Sequence, residues 1–180
     1  VLTFPTKISL LRIPLAVLFV ILIWQEQLVW ALAVFLIAAL SDFVDGYIAK
    51  TLKTESVLGK IIDPVVDRIF IISSFLAIYF GPLKETMSLW VLLVVVLQDI
   101  LIGLLVITIF ILKRQTVLRA SIAGKIATLS QEIFIPVILL NNIMLFEFSL
   151  LPFEIVVATT SLISGWHHLY MWIKLYRYKS

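Results

Sequence analysis

Asp42, Asp45, Asp63 and Asp67 interrupt a sequence that is otherwise strongly apolar. The first two are spaced i,i+3 and the last two i,i+4, so each pair shares one face of its own helix. Two antiparallel helices joined by a short connection can bring the pairs together. Four carboxylates in a poorly solvated pocket repel one another unless cations bind among them. An all-oxygen donor set suits hard divalent ions, Mg²⁺ or Mn²⁺, and four carboxylates have the capacity for two. Mg²⁺ in such sites takes substrate phosphate oxygens as further ligands, which implies a phosphate-bearing substrate. Gly46 and Ala49, one and four residues after Asp45, would leave a channel where a nucleotide could approach the backbone. The same small residues also serve close packing between membrane helices.

The elements that must carry these residues are membrane helices. Of the 180 residues 62% are hydrophobic and 14% charged, with mean hydropathy +1.15, far outside the range of soluble domains. Apolar runs near 8–24, 28–49, 61–80, 88–112, 121–145 and 150–173 predict six transmembrane helices in one domain, 1–180. The period-2 alternation of a barrel is absent. The run from Ile8 to Trp24 lacks a small-residue cleavage pattern and reads as a retained first span. Every Lys and Arg except Arg68 and Lys84 falls before or at the opening of the first run, between runs two and three, between run four and the opening of run five, or after the sixth. Basic residues mark the cytoplasmic side, so both termini and the aspartates are expected there. With no cysteine in the chain, thiolate metal sites and disulfides are excluded. The net charge of +3 sits in short clusters beside apolar runs, which favours anionic lipid headgroups over nucleic acid as partners.

The string Asp42-x2-Asp45-Gly46-x2-Ala49-Lys50-x8-Gly59-x3-Asp63-x3-Asp67 resembles the signature of the CDP-alcohol phosphotransferase family, D-x2-D-G-x2-A-R-x8-G-x3-D-x3-D. The one departure is Lys50, which keeps the charge of the usual Arg but loses its bidentate fork. The resemblance implies a six-helix bacterial-type plasma-membrane enzyme, a homodimer, that moves a phosphatidyl group from CDP-diacylglycerol to an alcohol. It implies metal ligation by Asp42, Asp45 and Asp63, with Asp67 both ligand and general base. Asp42, Gly46, Ala49, Lys50, Ser56 and Gly59 would then bind the CDP moiety.

Three further patterns bear on the acceptor. Asp63-Pro64-Val65-Val66-Asp67-Arg68, Gly124-Lys125-Ile126-Ala127-Thr128 with Gln131, and the opening Phe4-Pro5-Thr6-Lys7-Ile8-Ser9-Leu10-Leu11-Arg12 resemble segments of phosphatidylglycerophosphate synthases and cardiolipin-forming relatives. A phosphorylated acceptor needs cations, and Arg68, Arg119 and Lys125 are the candidates. Arg119 and Lys125 equally satisfy the positive-inside pattern. Arg68, inside a span, needs an internal partner or an anionic ligand. Gln98-Asp99 stands where related synthases carry Arg-Glu or Arg-Asp, which removes one phosphate ligand. Glycerol 3-phosphate is the first choice of acceptor, then phosphatidylglycerol in a cardiolipin synthase reaction, then inositol phosphate. An ion-coupled transporter is the rival of another class, but it predicts mid-membrane acids and an inverted repeat, and the acids here cluster toward one side. His167 and His168, adjacent on one helix, point to different faces and predict a packing role rather than a two-His metal site.

Overall fold

A computed structural model of the chain describes residues 11–52, 59–111, 121–144 and 148–177, with the side chains of 42–52, 59–64, 106, 109–111 and 175–177 outside that description. The described residues form six α-helices: α1 Arg12–Trp24, α2 Leu28–Leu52, α3 Gly59–Phe80, α4 Leu89–Ile111, α5 Ile122–Met144 and α6 Leu151–Arg177. Each coincides with one of the six apolar runs. The second helix outlasts its run by three residues and the third starts two residues early. Backbone hydrogen bonding does not stop where side chains turn polar, so Lys50 and Gly59 lie inside helices that hydropathy alone cuts short. Among the described residues one helix, Ile122–Met144, is long and apolar enough by itself to cross a membrane; Arg12–Trp24, Leu28–Ser41 and Leu89–Leu105 are shorter apolar stretches.

Two compact units divide the chain. The first comprises Val1–Thr86 and Ile135–Phe148, the second Met87–Phe134 and Ser149–Ser180. The division crosses α5 one residue before Pro136, which has no N–H to give the carbonyl of residue 132.

In the first unit α1 packs against both α2 and α3. Its buried face, Arg12, Ala16, Phe19 and Ile23, follows the i, i+4, i+7, i+11 register of a single stripe. Phe19 meets Phe35 of α2 and Phe70 of α3 at ring-centroid distances of 5.9 Å and 6.4 Å, and Phe35 stacks on Phe70 at 5.5 Å. One aromatic trio therefore joins three helices, and such pairs add about 0.5–1.5 kcal/mol each beyond area burial. The α1–α2 turn is closed by Glu26 N–H to Ile23 O at 3.0 Å and Gln27 N–H to Leu22 O at 2.9 Å. This is a Schellman end, with Glu26 at φ 58° in the left-handed position. At the far end of α3, Glu85 N–H donates to Asn142 Oδ1 at 3.0 Å, while Asn142 Nδ2 donates to Glu85 O at 2.7 Å.

In the second unit α4 packs on α6, and polar bonds cross between helices. Ser88, just before α4, donates to the buried Glu154 carboxylate of α6 through its backbone N–H at 2.6 Å and through Oγ at 2.9 Å. The carboxylate thus caps α4 from the neighbouring helix. Ser130 and Thr160 share a hydroxyl bond of 2.8 Å.

Polarity is inverted relative to a soluble protein. Arg12, Gln98, Asp99, Gln131, Asn141 and Glu154 are buried, while stripes such as Leu93, Leu97, Ile100 and Leu104 lie on the outside. Outward apolar stripes on helix after helix far exceed the patches a soluble monomer exposes.

Gly81, just beyond α3, is where the chain needs a missing side chain. A Cβ there would lie 2.5 Å from Ala77 O and 2.7 Å from Ile23 Cγ2. Because the first of these atoms is backbone, Gly81→Ala is expected to cost about 1–3 kcal/mol. Thermal unfolding in detergent should show a lower midpoint than for the parent chain.

Candidate active site

The site begins with Asp67, in the third turn of α3. It stands three residues before Phe70, so the aromatic trio that holds α3 against α1 also fixes the turn that presents the carboxylate. Arg12 opens α1 two turns before Phe19 on the same stripe. The two side chains form an ion pair, Arg12 Nη1 to Asp67 Oδ1. Arg12 is 4% exposed and Asp67 36%, so the guanidinium is enclosed by protein while the carboxylate keeps an open side. Removing an enclosed cation from water costs several kcal/mol, offset only when a counter-charge is close.

The remaining acids of the signature belong to the same helices, 42 and 45 toward the end of α2 and 63 near the start of α3. On α3, position 67 leads into the buried Phe70 and Ser74.

Of the residues marked by the sequence, Asp42, Asp45, Gly46, Ala49 and Lys50 belong to the last turns of α2, and Gly59 and Asp63 to the first turns of α3. Their side chains, and Ser56 and Arg119 altogether, lie outside the described residues. Arg68 is half-buried beside Asp67, and Lys125 is exposed in the first turn of α5.

Lys125 has a defined setting in the second unit. Ser121 Oγ accepts the Gly124 N–H at 3.0 Å and caps the start of α5. The His168 ring covers Gly124 so closely that a Cβ there would meet Cε1 at 2.9 Å. His168 Nδ1 lies 2.8 Å from Ser164 O; a carbonyl only accepts, so Nδ1 carries the proton in that bond. The rings of His167 and His168 are 6.1 Å apart and perpendicular, and His168 packs as expected. The glycine of the Gly124-Lys125 segment is therefore the seat of a histidine ring.

Two features escape the sequence pattern. Arg12 reads there as one more cytoplasmic cation, whereas it is the partner of Asp67; the available signal is its place on the Ala16, Phe19, Ile23 stripe. The other is a buried junction of Gln98, Gln131 and Ser161 in the second unit.

The sequence model describing CDP-alcohol phosphatidyltransferases matches residues 2–173. The chain belongs to the CDP-alcohol phosphatidyltransferase family. The match spans both compact units, so this family's fold accounts for α1 to α6 together. Among characterised relatives, the CDP-diacylglycerol–glycerol-3-phosphate 3-phosphatidyltransferase of Aquifex aeolicus is 34% identical over 125 residues, 69% of this chain and 68% of that protein. The Bacillus subtilis protein of the same name is 27% identical over 184 residues, covering 91% and 92%. A cardiolipin synthase (CMP-forming) of Streptomyces coelicolor is 29% identical over 150 residues, covering 79% and 67%. As a phosphatidyltransferase of phospholipid synthesis, the chain has its acidic signature on α2 and α3, the helices that the aromatic trio ties to α1.

The ion pair gives the first test of this site. Arg12→Met removes the cation beside the Asp67 carboxylate, and Asp67→Asn removes the counter-charge beside the enclosed guanidinium, so each is expected to lower the unfolding midpoint. The double variant should lose less than the sum of the two. A coupling of about 0.5–3 kcal/mol measures the pair directly, and strict additivity would show that the contact contributes nothing.

Proposed function

We propose that this chain transfers a phosphatidyl group from CDP-diacylglycerol to the hydroxyl of glycerol 3-phosphate, releasing CMP, at the cytoplasmic face of a bacterial-type plasma membrane. The observation that carries this reading is the Asp67 carboxylate, held by a buried arginine and left open on one side, at the last position of the family's acidic signature. Two of the relatives named above act, by name, on glycerol 3-phosphate. Six membrane-spanning helices in one domain, cytoplasmic termini and a homodimer complete the proposal. It draws support from the one-sided distribution of Lys and Arg and from the outward apolar stripes.

In this reading Asp67 takes the proton of the acceptor hydroxyl as its oxygen attacks the phosphorus that bears the diacylglycerol. The bond from that phosphorus to the CMP oxygen breaks, and CMP leaves with its electron pair. Asp67 needs a fixed position for this, and Arg12 supplies one: the ion pair restrains the carboxylate while the side chain stays partly exposed. Lys50 offsets charge on the departing diphosphate oxygen. Gly46, Ala49, Ser56 and Gly59 allow the nucleotide close to backbone. Arg68, Arg119 and Lys125 would hold the acceptor phosphate.

The donor set Asp42, Asp45, Asp63 and Asp67 is all carboxylate, which fits Mg²⁺ or Mn²⁺ and no soft metal, and the partly exposed Asp67 carboxylate fits a ligand's place. Such ions, two of them, would supply charge neutralisation at the diphosphate. A second reading, cardiolipin synthesis from phosphatidylglycerol, is favoured by the similarity to the Streptomyces coelicolor protein.

The deciding measurement is CMP release in detergent from CDP-diacylglycerol with Mg²⁺ or Mn²⁺, against glycerol 3-phosphate, phosphatidylglycerol, inositol phosphate, inositol and serine in parallel. Turnover with glycerol 3-phosphate alone is expected, abolished by chelation; silence with all five would end the synthase assignment. Asp67→Asn should retain CDP-diacylglycerol binding and lose at least about 100-fold in kcat, the usual scale for a general base. Normal turnover in that variant would remove Asp67 from the chemistry.

A further inference from the structure

A positive charge that can neither swing away nor lose its proton stands beside Asp67. The Arg12 side chain is 4% exposed and ion-paired with Asp67 Oδ1, and that oxygen is itself buried. The 36% exposure of the Asp67 side chain therefore falls on its other atoms. A guanidinium stays charged throughout the physiological pH range. Arg12 is held on the α1 stripe with Ala16, Phe19 and Ile23, all buried, and Phe19 meets Phe70 three residues after Asp67. Packing thus fixes both ends of the pair. Arg68, the next cation on α3, is half-buried, but consecutive helix positions do not face each other.

This setting bears on any cation that approaches the exposed part of the carboxylate. A surface arginine would turn into water as a second cation arrived, and salt would screen it. Arg12 is enclosed, so its field is screened far less. Two effects then oppose each other. Repulsion weakens binding of the second cation. A unit charge within about 8 Å changes an affinity by roughly thirtyfold at the effective dielectric of a protein, and a divalent ion feels the square of that factor. Restraint strengthens binding, since a carboxylate already held in place loses less freedom, which is worth about two- to tenfold. Repulsion wins, even damped by the water that reaches Asp67.

We propose that Arg12 is a resident counter-cation that lowers the affinity of the acidic site for its divalent ion and lets the Asp67 carboxylate persist among apolar helices without one. The inference rests on the metal ligation by Asp67 proposed above. The carboxylate that would hold the ion is already balanced by the chain's own charge, so folding does not wait on metal and the ion exchanges readily. Being enclosed, Arg12 acts through Asp67 as a positioning residue.

The test uses the full chain in detergent with Mn²⁺ alone as the probe and no substrate, free Mn²⁺ being followed by its electron paramagnetic resonance signal. Arg12→Met is expected to bind the ion about tenfold or more tighter than the parent chain, a factor set by the repulsion removed. Arg12→Lys, which keeps the charge, should stay within about threefold of the parent on the same scale. Thermal unfolding supplies a second readout. Stabilisation by a ligand grows with the logarithm of its concentration over Kd, so one Mn²⁺ concentration should raise the midpoint of Arg12→Met further above its chelated value than it raises that of the parent. Where Arg12→Met does not accumulate in membranes, Arg12→Gln purified with Mn²⁺ throughout is expected to show the same tightening. Equal or weaker binding in the neutral variants overturns the proposal, and so does an Arg12→Lys chain that binds as tightly as Arg12→Met. Mn²⁺ that binds none of the chains, or that binds Asp67→Asn as it binds the parent, overturns the ligation reading itself, a result distinguishable from equal binding by parent and Arg12 variants with loss in Asp67→Asn.

Discussion

Everything in the first unit is arranged around one constraint: a charge enclosed in an apolar surrounding must have its counter-charge within reach. Arg12 and Asp67 meet that constraint for each other. Neither residue is near the other in sequence, so the pair exists only because α1 and α3 pack, and they pack because Phe19 and Phe70 share an aromatic core with Phe35. The dependence also runs backwards. A helix carrying a lone arginine on its buried stripe gains less from docking than one whose arginine finds a carboxylate, so the ion pair selects the register in which the aromatic trio closes. Gly81 at the end of α3 serves the same packing, since it lets the chain pass within contact of Ile23 on α1.

This coupling explains how a carboxylate is kept among apolar helices. Acids in such surroundings are costly and are kept where they have partners or perform chemistry. Asp67 has its partner in the nearly buried Arg12, and its side chain stays 36% exposed. An exposed lysine in Arg12's place would hold the carboxylate less firmly, because a flexible ammonium lacks the planar fork that fixes a carboxylate's orientation.

Much of this could be read from the sequence, for reasons that differ by residue. The helices were legible because lipid demands long apolar runs, and α4, α5 and α6 announce themselves that way. The acidic signature stands out because its spacing is rigid, i,i+3 and then i,i+4. Helix ends were less legible, as α2 continues through Lys50 to Leu52 where hydropathy falls but hydrogen bonding does not. The Arg12–Asp67 pairing was hidden because a cation at the start of a span has two physical explanations, the charge bias of the cytoplasmic side and an internal partner, and local sequence cannot separate them. The Gln98, Gln131 and Ser161 junction was hidden for a related reason. The sequence marks both glutamines, Gln98 by a missing arginine and Gln131 within the Gly124-Lys125 segment, but only three-dimensional packing reveals that they meet.

The two units solve the same problem with different chemistry. The first offsets full charges against each other, which fixes position strongly. The second uses neutral amides and hydroxyls: Gln131 to Gln98 and Ser161, Ser130 to Thr160. Bonds of this kind between membrane helices are worth roughly 0.6–2 kcal/mol, enough to set register without the desolvation cost of ions. Ser88 with Glu154 is the exception, a carboxylate satisfied by a helix start at the end of the unit. Neutral pairing also leaves selectivity available that ionic pairing does not. A salt bridge consumes the charge that would attract a ligand, whereas an amide that spends one valence on its neighbour keeps another.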